Sequence, residues 1–262
     1  MLKITEQEND VLTVKPFDNQ LQSAKQLHPD LSQPPFTTLL VGPKGSGKSN
    51  VILRMLWGSK KPRDCRKGDT KYKWYRHFFD KIYVFSPTWS IDPKMQRCKI
   101  PDDQIFEEPD EYDDILTEIV NGQEEDIRED GKDSAEHVLL IFSDLAGTKL
   151  FKNNRGILNR IAFNHRHFKI SSILDSQSLR QINSAFRNNL SGVMLFAGIS
   201  NKMELKKVQE EYLGRFSQKE ARQILKHAFK NPFDFLYVNL QNRGSLYRNF
   251  NLLNIQSQEQ DD

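Results

Sequence analysis

Val41-Gly42-Pro43-Lys44-Gly45-Ser46-Gly47-Lys48-Ser49 fits the spacing G-x-x-x-x-G-K-[ST] at every specified position. The apolar run Phe36 to Val41 before it reads as a strand, and Asn50 to Trp57 after it reads as a helix. The loop thus has the strand, loop and helix order that its chemistry requires. Its glycines let the backbone fold back with N–H groups pointing inward, and the helix start adds partial positive charge. Such a cradle fits a polyphosphate. Gly42, Pro43, Lys44, Gly45, Ser46, Gly47, Lys48, Ser49 and Asn50 form the candidate nucleotide-binding set, with Lys48 reaching the β- and γ-phosphates and the Ser49 hydroxyl taking one position on Mg²⁺. A chance turn of Gly, Lys and Ser is the alternative, and the strand and helix flanks argue against it.

The length of 262 residues admits one sizeable α/β domain or two small ones. With 37% hydrophobic and 28% charged residues the chain is polar yet able to build a core. It has no apolar run of membrane-spanning length, taken as ~18 residues, and no basic-then-apolar start, so a soluble protein kept inside a cell is expected. Cys65 and Cys98 have no metal-type spacing and read as unpaired thiols. A net charge of +3 is too small to imply a nucleic-acid partner by itself.

Residues 1–34 are polar and end in Gln33-Pro34-Pro35. They read as an N-terminal arm before a phosphate-loop domain over 35–254, with 255–262 as a disordered tail. The stretch Lys60 to Arg76 mixes basic residues with Tyr72, Trp74 and Tyr75. It could hold phosphates and stack bases, or be a solvated loop, and the sequence leaves both readings open. Lys81 to Thr88 reads as a buried-type strand stopped by Pro87, and Trp89 and Asp92 follow in the loop at its carboxyl end. An amphipathic helix is expected near Glu111 to Asn121, then an acidic loop from Glu124 to Asp133 that carries no assigned chemistry.

Val138 to Phe142 is an apolar strand ending in Ser143-Asp144, a place from which a carboxylate can face Mg²⁺ or the attacking water. Helical recurrence over Lys149 to Phe168 carries Arg155, Arg160, Arg166 and His167. Lys169 to Gln177 reads as a further parallel strand ending in polar residues, and the Gln177 amide could contact a γ-phosphate or simply cap the next turn. Beyond it come a helix from Ser178 to Asn189 bearing Arg187, a strand from Gly192, a helix from Lys202 to Tyr212, and a helix opened by the capping box Ser217/Glu220. The chain closes with a hairpin through Asn242-Arg243-Gly244. Together these predict a three-layer α/β P-loop NTPase fold, with a mostly parallel central sheet, helices on both faces and a C-terminal β-hairpin.

In order, GPKGSGKS at Gly42 to Ser49, IYVFSPT at Ile82 to Thr88, VLLIFSDL at Val138 to Leu145, NHRHFKISSILDSQS at Asn164 to Ser178, FRNN at Phe186 to Asn189 and DFLYVNL followed by YRNF resemble the genome-packaging ATPases of poxviruses, giant viruses and virophages, a branch of the FtsK–HerA class. The resemblance spans about residues 36–250. It implies ATP and Mg²⁺ at the loop, a catalytic carboxylate at Asp144, a polar sensor at Gln177, and a homo-oligomeric ring, pentamer or hexamer, in which one subunit's arginine reaches the next subunit's nucleotide. Arg187 is the first candidate for that arginine and Arg166 the second. The implied partners are double-stranded DNA and capsid portal or vertex proteins. The implied setting is a viral factory in the host cytoplasm, with presence in the virion as a further expectation.

One position departs from the family pattern. Two adjacent acids usually end the acidic strand, and here the first is Ser143. Its hydroxyl can hydrogen-bond a metal-bound water but brings no charge. On that basis Ser143→Asp is expected not to lower turnover. The function expected is ATP-driven translocation of double-stranded DNA into a viral shell. The alternatives are a helicase or conjugation-type DNA pump, or a nucleotide-dependent assembly scaffold that hydrolyses little.

Overall fold

The computed structural model describes residues 3–7, 27–57, 74–145, 148–151 and 156–256. Its elements in chain order are β1 (Lys3–Gln7), β2 (Thr37–Val41), α1 (Lys48–Trp57), β3 (Lys81–Phe85), β4 (Ile105–Phe106), α2 (Tyr112–Asp130), β5 (Val138–Phe142), α3 (Ile157–Phe168), β6 (Ile170–Ser176), α4 (Ser184–Arg187), β7 (Gly192–Phe196), α5 (Lys202–Tyr212), α6 (Gln218–Ala228), β8 (Phe235–Asn239), β9 (Ser245–Arg248) and β10 (Asn251–Gln256). Among the described residues the strands form one ten-stranded sheet in the order β1-β10-β9-β8-β7-β2-β6-β5-β3-β4. The part from β7 to β4 is parallel, and β8, β9, β10 and β1 continue it antiparallel.

The central strands β2, β5, β6 and β7 are buried along their whole length because both faces are covered. In β2, Leu39 and Val41 enter one core and Leu40 the other; in β5, Leu140 and Phe142 part in the same way from Leu139 and Ile141. Helix α1 packs on the Leu40 face through Val51, Ile52 and Met55. On the opposite face lie α2, α3, α5 and α6, through Leu116, Leu158, Ile161, Val208 and Ile224. Three layers result, as the alternation of strand and helix signals predicts. The hairpin also forms, with Gly244 N–H donating to Asn239 O at 2.9 Å. Ser217 and Glu220 cap α6 reciprocally.

Part of the N-terminal arm joins the sheet, where β1 pairs with β10 along all of its residues. Residues nearer the domain are tied down too, since Asn239 Nδ2 donates to Asp30 O at 2.9 Å and Tyr247 OH to Asp30 Oδ1 at 3.2 Å. Strand β10 runs through Gln256, so the expected tail begins inside a paired strand, while 257–262 lie outside the described residues. The acidic stretch after Asn121 is helix, not loop. Gln123 is buried in α2 and donates to Glu136 O at 3.0 Å and Phe168 O at 2.9 Å, and Glu124 pairs with Arg160 of α3 at 2.7 Å, so the charges lie on the outer face of a docked helix.

The helix expected over Ser178 to Asn189 is broken into a short 3₁₀ turn, Leu179–Gln181, and α4. Ser178 and Asn183 each cap a new start with their own side chains, the competition that makes such residues poor in helix interiors. Finally, Trp74, Tyr75 and Arg76 at the end of the basic aromatic stretch are buried. Trp74 meets Phe250 edge-on with centroids 5.1 Å apart, and Tyr75 OH donates to Ser32 O at 2.6 Å. Those two rings therefore belong to the core rather than to a base-stacking surface, and 58–73 lie outside the described residues.

Candidate active site

The ends of β2, β6, β5 and β3 are joined by backbone hydrogen bonds: Gly42 N–H donates to Ser176 O and Ser143 N–H to Phe85 O, each at 3.1 Å. The loops leaving these strands thus share the carboxyl edge of a parallel sheet, where open α/β folds place ligands. The loop Gly42 to Gly47 leads into α1 at Lys48. Gly42 admits no side chain, because a Cβ there would lie 2.6 Å from Phe196 Cβ. Gly47 turns through φ +101°, open to glycine but strained for an L side chain.

Lys48 is buried, and its ammonium donates to the loop's own carbonyls, Gly42 O at 2.8 Å and Pro43 O at 3.3 Å. Burial lowers its pKa, opposed by the carboxylates of Asp175 and, less strongly, Asp144. The buried Ser46 hydroxyl has no hydrogen-bond partner among the described residues. Lys44, Gly45 and Asn50 are exposed, and Pro43 and Ser49 half-buried. A cation folded onto carbonyls and an unsatisfied hydroxyl are groups that phosphate oxygens would engage.

The acid facing this loop most strongly is not the one expected. Asp175, the sixth residue of β6, is only 7% exposed and accepts from Ser143 Oγ at 2.9 Å and from Asp144 N–H at 3.1 Å. Burial raises its carboxyl above the ordinary value, while Lys48 and the two donors pull it down. Asp144 stands in a left-handed turn, φ 56°, and is exposed. Its carboxylate accepts from Thr88 Oγ1 at 2.8 Å, beyond β3, so it leans away from β2. Ser143 is buried, and its hydroxyl serves Asp175. The first position of the two adjacent acids is thus a serine that donates to an acid on the neighbouring strand.

Gln177 follows β6 directly and is exposed at the same edge. The segment after it is pinned: Ser178 Oγ donates to buried Glu204 at 2.9 Å, and Leu179 N–H donates to the same carboxylate. Arg187 completes that clamp. It is buried, pairs bidentately with Glu211 through two 2.8 Å bonds, and donates to the carbonyls of Leu179 and Ile182. Its guanidinium is thus spent inside its own subunit, in contrast to the role expected of it. Arg166 is exposed on the last turn of α3, next to the amino end of β6. That places it about 20 Å from the loop by strand length.

The groups that could hold Mg²⁺ beside a nucleotide are Ser49, Asp175 and Asp144, with Ser143 as a support of Asp175. Two carboxylates and a hydroxyl suit a hard cation that keeps several waters and binds phosphate oxygens. Among the described residues no cluster of three or more His, Cys, Asp or Glu side chains forms a metal cage of its own. Sequence reading passed over Asp175 because it sits inside a strand, before the residue taken as the sensor. The signal was present as register: Phe142 faces Leu174, so the position after Phe142 faces Asp175.

No protein-family model and no curated protein matches the sequence. Among solved structures the chain is similar to B204, the DNA-packaging ATPase from Sulfolobus turreted icosahedral virus, at TM-score 0.55 and 15% identity over 82% of this chain and 97% of that one. It is similar to the genome-packaging NTPase B204 of Sulfolobus turreted icosahedral virus 2, solved with ATPγS, at TM-score 0.53 and 14% identity over 82% and 97%. The pCW3 conjugation coupling protein TcpA, also solved with ATPγS, follows at TM-score 0.51 and 14% identity over 78% of this chain and 57% of that one. What the chain shares with them is the fold, that of a P-loop NTPase as found in viral DNA-packaging ATPases and a conjugation coupling protein.

Proposed function

We propose that the chain hydrolyses ATP to move double-stranded DNA into a viral shell, working as a homo-oligomeric ring. The observation that supports it best is the meeting of Lys48, Ser143, Asp144 and Asp175 on one sheet edge around a complete phosphate loop. The likeness in fold to the DNA-packaging ATPase B204 supports DNA as the substrate of this reading.

In this reading the loop N–H groups and Lys48 hold the β- and γ-phosphates, and Lys48 exchanges its carbonyl partners for phosphate oxygens. Ser49 and Asp175 would hold Mg²⁺, which would supply positive charge beside the phosphates. Asp144, released from Thr88, orients the attacking water, and Gln177 reports the γ-phosphate to the clamped segment behind it. The trans arginine is sought among exposed residues, with Arg166 as the remaining named candidate. Grip on DNA is through its backbone, since a packaging motor must hold any sequence. Capsid vertex proteins and a cytoplasmic viral factory complete the proposal.

The likeness to TcpA keeps a conjugation-type pump as a second reading, with unwinding as the helicase variant. Forked and blunt duplex substrates separate them: a packaging motor moves on duplex without parting the strands. The scaffold reading rests on the missing acid at Ser143, and a buried acid bonded to that serine argues against it. Steady-state ATP hydrolysis with and without duplex DNA tests the proposal. DNA stimulation that disappears in Lys48→Ala supports a motor.

A further inference from the structure

The phosphate loop has two flanks. The acids stand on the β6 and β5 side, so a triphosphate whose γ end lies toward them directs its nucleoside to the other side, over β7 and β8. That side holds an open cleft of about 460 Å³, lined among others by Lys44 and Gly45 of the loop, Gly198 after β7, and Phe229, Asn231 and Phe233 before β8. Clefts of this size accept small ligands.

Phe233 is the unusual residue in it. The residue is 68% exposed although its backbone is left-handed, φ 69°, a conformation costly for a bulky residue. The next residue explains how that backbone is held. Asp234 is buried, its carboxylate accepts from Asn231 N–H at 2.8 Å and from Arg248 Nη2 at 2.9 Å, and its carbonyl accepts from Ala197 N–H at 2.8 Å. The turn is fixed, and the ring is presented beside the loop, where a Cβ on Gly47 would lie 3.7 Å from Phe233 Cδ1.

Core packing does not account for an exposed ring on a strained, pinned turn. A flat apolar face beside a phosphate site suits a nucleobase, which stacks through its π-face. We propose that the cleft between the phosphate loop and the Asn231–Asp234 turn is the nucleoside subsite, and that the purine of the nucleotide stacks on Phe233. This rests on the reading that the loop binds a nucleoside triphosphate.

The test is calorimetric binding of ATP and of inorganic tripolyphosphate to the full chain, unaltered and as Phe233→Ala, Phe233→Trp and Lys48→Ala. Phe233→Ala is expected to weaken ATP about tenfold while leaving tripolyphosphate unchanged, and Phe233→Trp is expected to keep ATP affinity. Equal effects on both probes, or unchanged ATP affinity in Phe233→Ala, overturn the proposal. Tripolyphosphate bound as tightly as ATP by the unaltered chain overturns the stacking alone. Absence of any Lys48-dependent binding overturns the phosphate-loop reading and the subsite with it. Phe233→Gly, which relieves the backbone, is expected to melt no lower than the parent; a lower melting point with ATP affinity intact assigns the ring a structural role and overturns the proposal.

Discussion

Ser143 Oγ donates a hydrogen bond to Asp175 Oδ2 at 2.9 Å, joining the carboxyl ends of two neighbouring parallel strands. In the proposed mechanism the serine orients the carboxylate and the aspartate carries the charge. This reverses one expectation drawn from the sequence. Ser143→Asp would set two carboxylates against each other in a buried place, where one must keep a proton. Turnover should fall about tenfold or more, one pKa unit of mismatch being ~1.4 kcal/mol. The exchange Ser143→Asp with Asp175→Ser should recover much of the loss. An undiminished rate in the single variant would show that Asp175 is not the charged partner.

The raised pKa of Asp175 has a consequence for stability. A carboxyl whose folded pKa lies above its unfolded one gives stability at low pH that is lost as pH rises through the folded value. The nucleotide-free protein therefore carries a penalty near neutrality, because burial dominates over Lys48, Ser143 and Asp144. Asp175→Asn should melt higher than the parent at about pH 7 to 8, with the advantage shrinking toward about pH 4, while ATP hydrolysis is lost. Melting curves across that range check it; an advantage that grows on acidification contradicts it.

Arg187→Ala should act on folding rather than on a neighbour's nucleotide. Removing one partner of a buried, bidentate pair is expected to cost about 3 kcal/mol, reduced somewhat by the partial exposure of Glu211. Denaturant midpoints measure this. Hydrolysis per folded molecule should change little, and mixing the variant into unaltered rings should not poison them. Poisoning in proportion to the variant fraction would return Arg187 to the trans role.

Thr88 Oγ1 donates to Asp144 and holds its carboxylate toward β3. Thr88→Val should free the carboxylate and raise basal turnover about fivefold, a charge-assisted bond at an exposed site being worth ~1 kcal/mol. Stimulation by DNA should shrink by a similar factor. A lower basal rate would show that Thr88 supports the working position of Asp144 instead.

The phosphate loop, the buried strands, the α6 capping box and the hairpin were legible because each rests on local spacing or on an apolar run that a covered strand must have. Features set by distant partners were not. Asp175 looks like an ordinary strand end until β5 is placed beside it in register. Trp74 and Tyr75 look like a solvated basic loop until Phe250 and Ser32 close over them. The acidic half of α2 looks like loop by charge, yet Gln123 anchors it from the buried side. Arg187 has the composition of a surface helix residue, and its burial is decided by Glu211 on another helix.

ATP hydrolysis by the purified protein, measured with and without blunt double-stranded DNA alongside its mass in solution, tests the motor reading most directly. The account predicts a ring-sized assembly whose turnover rises with DNA and vanishes in Lys48→Ala. A monomer whose rate ignores DNA and survives that substitution would contradict it.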